Sequence, residues 1–265
     1  MKKDRLQKSL EIFGLQAVMD AVHEGKEFDK IFIKKGLNKG LAMELRTLLK
    51  EHNIMFKAVP VEKLNRLTQK DHQGVFAFVS PVNFYKLGDV LMQTYEDGKS
   101  PIFLMLDRVT DVRNFGAIAR TAESCGVNAI ILPKVGGAQL NSDAIKTSTG
   151  ALMHIPICRE QNLYHSLKYL KKSGLKVIAC TEKTDTNLYD VAFVDPVVIV
   201  MGSEKDGISE DILELADAKT RIPMFGKTES LNVSVASAVI LYEAIRQRQQ
   251  KIKPKHLPDR NNLGF

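Results

Sequence analysis

Residues 102–122 read IFLMLDRVTDVRNFGAIARTA, and this stretch decides the fold of the larger part of the chain. It begins with an apolar run, Ile102–Leu106, that has no polar residue on either face, which is typical of a strand buried in a parallel sheet. A polar segment follows, and then a helical pattern over 115–125. Strand, polar loop and helix in this order form the repeating unit of a parallel α/β fold.

The same alternation continues to the end of the chain. Further apolar runs predict buried strands at Ala129–Leu132, Val177–Ala179 and Val197–Met201. Helical patterns lie between and after them, at 161–172, 208–217 and 233–249. The second part of the chain is therefore predicted to be an α/β domain with a parallel sheet.

The N-terminal part indicates a separate, smaller α/β unit. A helix and a strand are predicted within 12–36 and an amphipathic helix over 39–52, followed by strands at Phe56–Val59 and Gly74–Val79. Residues 86–95 are compatible with a helix, and residues 96–101, EDGKSP, have the composition of a linker. We expect a first domain at 1–85, a linker at 86–100, a second domain at 101–250 and a basic tail at 251–265.

The net charge of +7 is concentrated in two stretches. Residues 1–86 hold 16 Lys and Arg against 10 Asp and Glu, and residues 244–265 hold six against one. Such an excess favours a polyanionic partner, because binding phosphates releases counterions. A solvated basic surface without a partner would give the same composition. Charge alone therefore leaves nucleic-acid binding open.

Several classes of protein are disfavoured by what the sequence lacks. It has no apolar run of the ~20 residues that span a bilayer and no secretory leader, so we expect a cytoplasmic protein that binds no membrane. It has no dinucleotide-binding or P-loop motif, no G-x-S-x-G and no H-E-x-x-H. Its six histidines are scattered and its three cysteines form no C-x-x-C, so no metal site is expected.

The first polar cluster, residues 107–122, directly follows the first buried strand. Asn114 is predicted to cap the helix that follows, and Arg120 lies on a different face of that helix. Both would lie near the carboxyl edge of the sheet, where α/β proteins bind ligands. The alternative is a helix cap and a surface arginine.

The second polar cluster is VMGSEKDGIS, residues 200–209, after another buried strand. Gly202 and Gly207 permit a positive φ or a close approach of the backbone to a ligand. Glu204 is a candidate site residue on the same loop. The alternative is that Ser209 caps the next helix and that Glu204 is a solvated loop residue.

The third cluster, residues 221–243, leads into the last helix. Asn232 is predicted to be the N-cap of this helix. The small residues of its first turns allow another backbone to approach closely; they are Ser234, Ala236, Ser237 and Ala238. The alternative is that these small residues serve only ordinary packing in the core.

The three clusters together carry a resemblance to a known family. NFGAIARTA, MGSExxGIS and SLNVSVASAVILYE resemble, in this order, motifs 1, 2 and 3 of the SpoU/TrmH family of RNA ribose 2′-O-methyltransferases, over residues 102–248. Residues 12–80, with IFGLQAVMDAV and DHQGV, resemble the RNA-binding domain, related to ribosomal protein L30e, of the subgroup that methylates a guanosine of 23S rRNA. Motif 1 commonly reads D-P-x-N, whereas Val112 stands here in place of proline, which puts the rigidity of the loop in question.

The resemblance implies a fold, partners and roles for individual residues. The second domain would be a SPOUT domain with a deep trefoil knot, preceded by the L30e-like α/β domain, in a homodimer with active sites at the subunit interface. S-adenosylmethionine would be the methyl donor, held by the backbone of Gly202, Ile222 and Leu231. Arg120 matches the catalytic arginine, and the other active-site positions are Asn114, Glu204, Ser230 and Asn232.

The role of Arg120 and the identity of the RNA stay open at this point. A guanidinium remains protonated in proteins, so Arg120 is not a simple base. Either it pairs with an RNA phosphate that helps to accept the proton, or it stabilises the developing alkoxide. The L30e-like domain favours ribosomal RNA. The alternatives are a tRNA 2′-O-methyltransferase of the same family and a non-catalytic RNA-binding or ribosome-assembly protein.

Overall fold

The computed structural model describes residues 10–26, 28–52, 54–79, 82–138, 140 and 142–252. The chain divides into two units, one of residues 1–83 with 139–153 and one of residues 84–138 with 154–265. Most of the expected basic tail, residues 253–265, lies outside the described residues. No helix formed by the described residues is long and apolar enough to cross a membrane.

The first unit contains a four-stranded mixed sheet in the order β1-β4-β2-β3. Strand β4 is antiparallel to β1 and β2, and β3 is parallel to β2. The strands are β1 (Leu10–Phe13), β2 (Phe28–Lys34), β3 (Lys57–Val59) and β4 (Val75–Val79). The helices are α1 (Leu15–His23), α2 (Leu41–Glu51), α3 (Val61–Leu67) and α6 (Ser142–Thr147), with a 3-10 helix at Ala151–Met153.

Alternation along the strands gives this sheet two apolar faces. Ile31 and Ile33 of β2 belong to one buried cluster, with α1 and α2, whereas Phe32 between them belongs to another, with α3. This is the period of two that a strand imposes. The helix predicted at the start of 12–36 begins later than expected. Phe13 ends β1, and α1 begins only after Gly14, whose φ is +93°.

The second unit contains six parallel strands in the order β10-β8-β9-β5-β6-β7. This confirms the predicted α/β architecture with a parallel sheet. The strands are β5 (Ile102–Asp107), β6 (Ala129–Pro133), β7 (Ile157–Glu160), β8 (Lys176–Cys180), β9 (Val197–Gly202) and β10 (Ala218–Thr220). The helices are α4 (Leu87–Glu96), α5 (Val112–Ser124), α7 (Leu163–Lys172), α8 (Glu210–Leu215) and α9 (Val233–Ile252), with a 3-10 helix at Leu188–Asp190.

The segment expected as a linker contributes to the core of the second unit. Residues 87–96 form α4, and its Leu87 and Leu91 are buried in the main apolar cluster together with Phe103 and Met105 of β5. These four side chains lie away from solvent, so α4 is part of the folded unit.

The register of the sheet brings the motif loops to one edge. Asp107 at the end of β5 pairs with Gly202 at the end of β9, and Cys180 of β8 pairs with Met201. Thr220 of β10 pairs with Cys180. The loops that follow β5, β8, β9 and β10 therefore leave from the same carboxyl edge, where ligands bind in open α/β sheets.

Arg248 near the end of α9 links this helix to the opposite edge of the sheet. Its guanidinium donates hydrogen bonds to four backbone carbonyls: those of Ser100 (2.6 Å), Pro101 (3.0 Å), Phe193 (2.9 Å) and Asp195 (2.5 Å). Burial lowers the pKa of Arg248 from its ordinary value. The side chain therefore ties α9 to the segments that enter β5 and β9.

We expect Arg248→Ala to lower the free energy of unfolding by about 2–4 kcal/mol, because charged hydrogen bonds are lost and carbonyls are left without donors. Urea unfolding followed by circular dichroism measures this. Lys172→Ala, at the exposed end of α7, is the control and should change stability by less than about 0.5 kcal/mol. An Arg248→Ala value equal to that of the control would contradict the role given to this arginine.

Candidate active site

Three side chains from the three motif loops meet in one polar cluster. Asn114 Nδ2 donates to Glu204 Oε1 at 3.2 Å, and Asn232 Nδ2 donates to the same oxygen at 2.5 Å. Asn232 Nδ2 also lies 3.1 Å from Asn114 Oδ1, and the backbone N–H of Val233 donates to Glu204 Oε1 at 3.3 Å. Glu204 therefore fastens the loops after β5 and β10 to its own loop after β9.

The start of α5 differs from the prediction in one respect. The N-cap is Asp111 and not Asn114, because the Asp111 side chain accepts hydrogen bonds from the backbone N–H groups of Arg113 (2.9 Å) and Asn114 (2.8 Å). The helix begins earlier than its apolar periodicity suggests. As a result, the Asn114 side chain is not needed for capping and is available to the cluster.

Asn232 caps α9 as predicted. Its Oδ1 accepts from the Ser234 backbone N–H at 2.9 Å and from Ser234 Oγ at 2.6 Å. The amide nitrogen of Asn232 is then directed to Glu204 and Asn114. One side chain thus starts the last helix and completes the polar cluster.

The loop after β9 is a tight turn that depends on its two glycines. Ser203 and Gly207 exchange two backbone hydrogen bonds, of 3.2 and 3.0 Å. A Cβ at Gly202 would overlap the backbone of Gly207 and Ile208, and Gly207 has a φ of +66°. Ser209 is at the N-cap position of α8 without a side-chain capping bond, and its backbone N–H donates to Asp107 Oδ2 at 2.7 Å instead.

A cleft of about 940 Å³ lies beside the polar cluster. It is lined by all three residues expected to contact the methyl donor, Gly202, Ile222 and Leu231. Ser230 also lines it, together with Glu204 and Asn232. Ser230 is exposed and forms no hydrogen bond with the described part of the chain. The structure thus brings six of the eight predicted site residues to one cleft.

The cleft has a wall that the sequence did not indicate. Residues 180–183, at the end of β8 and in the loop after it, line it, beginning with Cys180. Burial raises the pKa of the Cys180 thiol to about 12, so the thiol stays protonated near neutral pH. These residues follow a buried strand and begin a polar run, TEKTDT at 181–186, but this run belongs to none of the three clusters singled out from the sequence.

Arg120 does not join the cluster within one chain. It is exposed on α5, it is not among the residues that line the cleft, and its side chain contacts no hydrogen-bond or ion-pair partner in the described ranges. The sequence placed Arg120 and Asn114 on different faces of the helix, and Arg120 is indeed outside the cluster that contains Asn114.

The described residues offer no metal centre. No group of three or more His, Cys, Asp or Glu side chains among them is arranged to hold a metal ion.

Two protein families match the chain. Residues 101–242 match the SpoU rRNA Methylase family. Residues 12–85 match a domain described as RNA 2′-O ribose methyltransferase substrate binding.

Two bacterial proteins of the TrmH family are similar to this chain over nearly its whole length. A Staphylococcus saprophyticus protein named as a TrmH family tRNA/rRNA methyltransferase is 34% identical over 237 residues, which are 89% of this chain and 95% of the relative. A Bacillus subtilis protein with the same family name is 32% identical, with the same coverage of both chains.

Solved structures share the fold. The SpoU methyltransferase AviRb from Streptomyces viridochromogenes, solved with AdoMet, gives a TM-score of 0.58 at 24% identity and covers 91% of both chains. The A. aeolicus TrmH/SpoU tRNA modifying enzyme is 35% identical, with a TM-score of 0.54, over 58% of this chain and 78% of that chain.

Proposed function

The chain belongs to the SpoU rRNA Methylase family of RNA methyltransferases, which its motifs predict, and from this premise we propose that it methylates a ribose 2′-hydroxyl of RNA with S-adenosylmethionine as the donor. The nucleotide that we propose as the methyl acceptor is a guanosine of 23S ribosomal RNA. The proposal places the reaction in the cytoplasm.

One observation carries this proposal. The loops of the three family motifs converge at the carboxyl edge of one parallel sheet, where Glu204 Oε1 joins Asn114 to Asn232. The cleft next to this cluster is lined by Gly202, Ile222 and Leu231. Its volume is within the range of small-ligand sites, roughly 300–1,000 Å³. A donor pocket and a set of polar groups for the acceptor therefore lie side by side.

The groups of the cleft fit the donor by shape and by chemistry. At Gly202 the backbone of Gly207 and Ile208 fills the space that a side chain would need, so the loop after β9 closes tightly where it lines the cleft. The half-buried Ile222 and Leu231 offer apolar contact and backbone polar groups. S-adenosylmethionine supplies an electrophilic methyl carbon on its sulfonium, and the protein has to hold a ribose oxygen in line with that carbon.

The polar cluster of Asn114, Glu204 and Asn232 is proposed to position the acceptor ribose. The amides of Asn114 and Asn232 are held by Glu204, so their orientation is set before RNA binds. Such preorganised dipoles cost no reorganisation during the reaction. Ser230, which has no partner within the described ranges, is available to the acceptor ribose. The positive charge of Arg120 stabilises the 2′-oxygen as it loses its proton to water and forms its bond to the methyl carbon, while the methyl–sulfur bond of the donor breaks.

The proposal requires a homodimer, because Arg120 lies outside the cleft of its own chain. In a twofold dimer, the Arg120 of one copy would complete the site of the other. Helix α9 presents a stripe typical of interfaces, with Val235, Tyr242 and Arg246 exposed at helical spacing. The proposed SPOUT domain includes a deep trefoil knot in its C-terminal segment.

The first unit is proposed to recruit the RNA, as an L30e-like domain at about residues 12–85. Its match to a substrate-binding domain supports this role. So does its charge, since the exposed cations of β2, β3 and α3 include Lys34, Lys57, Lys63 and Arg66. Ribosomal RNA is the proposed substrate, and transfer to tRNA is the alternative outcome of the test.

We expect the purified protein to bind S-adenosylmethionine in the presence of EDTA, because the groups that line the cleft need no metal to hold it. Isothermal calorimetry measures the affinity and the stoichiometry, with adenosine as the control ligand. Absence of binding at ~1 mM donor, the weakest affinity worth calling specific, would exclude the proposed function.

A further inference from the structure

The loop of residues 222–231, which joins β10 to α9, is held by few contacts. None of its ten residues forms a hydrogen bond or an ion pair with the described part of the chain. In contrast, Arg221 before it and Asn232 after it are both hydrogen-bonded. A Cβ added at Gly226 would meet nothing within 4 Å. Segments of this kind rearrange at low free-energy cost, so the loop is able to adapt to a bound RNA.

Phe225 is the unusual side chain of this loop. It is 95% exposed, and it is the only aromatic residue among the described residues that line the cleft. Its loop begins at Ile222, a proposed donor contact, and runs to Ser230 and Leu231 at the proposed acceptor and donor positions. The Phe225 ring therefore lies on the segment that joins the proposed donor contacts to the proposed acceptor position.

We propose that Phe225 stacks on an unpaired base of the RNA substrate at the mouth of the cleft and so positions the acceptor ribose. This inference rests on the proposed function. Proteins recognise unstacked RNA bases by stacking them on aromatic side chains, and such stacking tolerates any base. Lys205 lines the same cleft, and Lys227 follows Phe225 on its loop. Both are exposed and have no ion-pair partner in the described ranges, which suits the phosphates beside a stacked base.

Three substitutions of Phe225 separate stacking from other roles. We expect Phe225→Ala and Phe225→Leu to lower kcat/KM for methyl transfer about 10- to 100-fold, as the loss of one stacked base predicts. Phe225→Trp should stay within about threefold of wild type, because it keeps an aromatic ring. The substrate is total RNA from a strain lacking the gene, which contains both ribosomal and transfer RNA. Met92→Ala, at an exposed apolar residue of α4, is the control.

A second readout detects stacking directly. The chain has no tryptophan, so Phe225→Trp introduces the only one. Its fluorescence should be quenched when the same RNA is added, whereas the fluorescence of a Met92→Trp variant should not respond. This measurement does not require methyl transfer, so it still tests the stacking if the proposed function fails.

Several outcomes would overturn the inference. One is unchanged transfer by Phe225→Ala together with tryptophan emission of Phe225→Trp that RNA does not quench. Another is a weaker donor affinity of Phe225→Ala without RNA, which would mean that the ring covers the donor. A third is a smaller molecular mass of Phe225→Ala than of the wild-type protein in light scattering, which would mean that the ring belongs to a contact between subunits.

Discussion

Arg120→Ala is expected to reduce the rate of methyl transfer by about 10²–10³-fold while leaving the affinity for S-adenosylmethionine unchanged. The reduction is the usual cost of removing one group that stabilises charge in the transition state. The affinity is expected to persist because Arg120 is not among the residues that line the cleft. Single-turnover transfer of labelled methyl measures the first quantity, and calorimetry measures the second.

Arg120→Lys is expected to fail nearly as badly. Lysine keeps the positive charge but loses the planar, two-point geometry of the guanidinium. Arg113→Ala is the matched control, since Arg113 also lies on α5, about two turns earlier. It should change the rate only a few-fold. If Arg120→Ala behaves like this control, Arg120 is an ordinary surface residue, for which effects of a few tenths of a kcal/mol are typical.

Mixing of variants tests whether Arg120 acts across the proposed dimer. Arg120→Ala and Glu204→Ala chains should each be nearly inactive alone. After subunit exchange, half of the dimers are mixed and each mixed dimer has one intact site, so about a quarter of the wild-type activity should return. No recovery in exchanged dimers would mean that Arg120 and Glu204 of the same chain act together.

Gly202→Ala is expected to weaken donor binding strongly and to destabilise the protein. The added Cβ would overlap the backbone of Gly207 and Ile208, so the loop after β9 has to move. Overpacking of this kind costs roughly 1–3 kcal/mol of stability. We expect the donor affinity to fall at least about a hundredfold, which corresponds to about 2.8 kcal/mol. Calorimetry measures the affinity, and circular dichroism checks that the variant is folded.

Gly226→Ala is the control for this substitution. Gly226 has open space around its Cβ position, in the loop after β10. We expect its donor affinity to stay within a few-fold of wild type. A folded Gly202→Ala protein that binds the donor normally would contradict the role proposed for the loop after β9.

The sequence predicted the parallel sheet because its strands are buried on both faces. The runs at β5, β6, β8 and β9 are continuously apolar, and no helix periodicity competes with them. Three short edge strands lack this signal, whereas β3, which is equally short, was predicted from Phe56–Val59. Strand β10 has only three residues and β7 four, and β1 of the first unit also has four, so none of these was predicted.

The site residues could likewise be identified from local sequence motifs, but their arrangement in space depends on the tertiary structure. Family motifs identified Glu204, Asn114 and Asn232, but only the register of β5 and β9 brings their loops together. Two polar residues, Asp111 and Asn114, compete for the N-cap of α5, and the apolar pattern of the helix favoured the wrong one. The wall formed by Cys180 and the loop after it depends on strand order alone.

The position of the transferred methyl group shows whether this protein methylates a ribose 2′-hydroxyl of RNA. The wild-type protein is incubated with labelled S-adenosylmethionine and RNA from a strain lacking the gene, and the RNA is digested to nucleosides. We expect the label in 2′-O-methylguanosine, at a position of 23S ribosomal RNA that resists alkaline cleavage. Label on a base, or no transfer to any RNA by a protein that binds the donor, would contradict it.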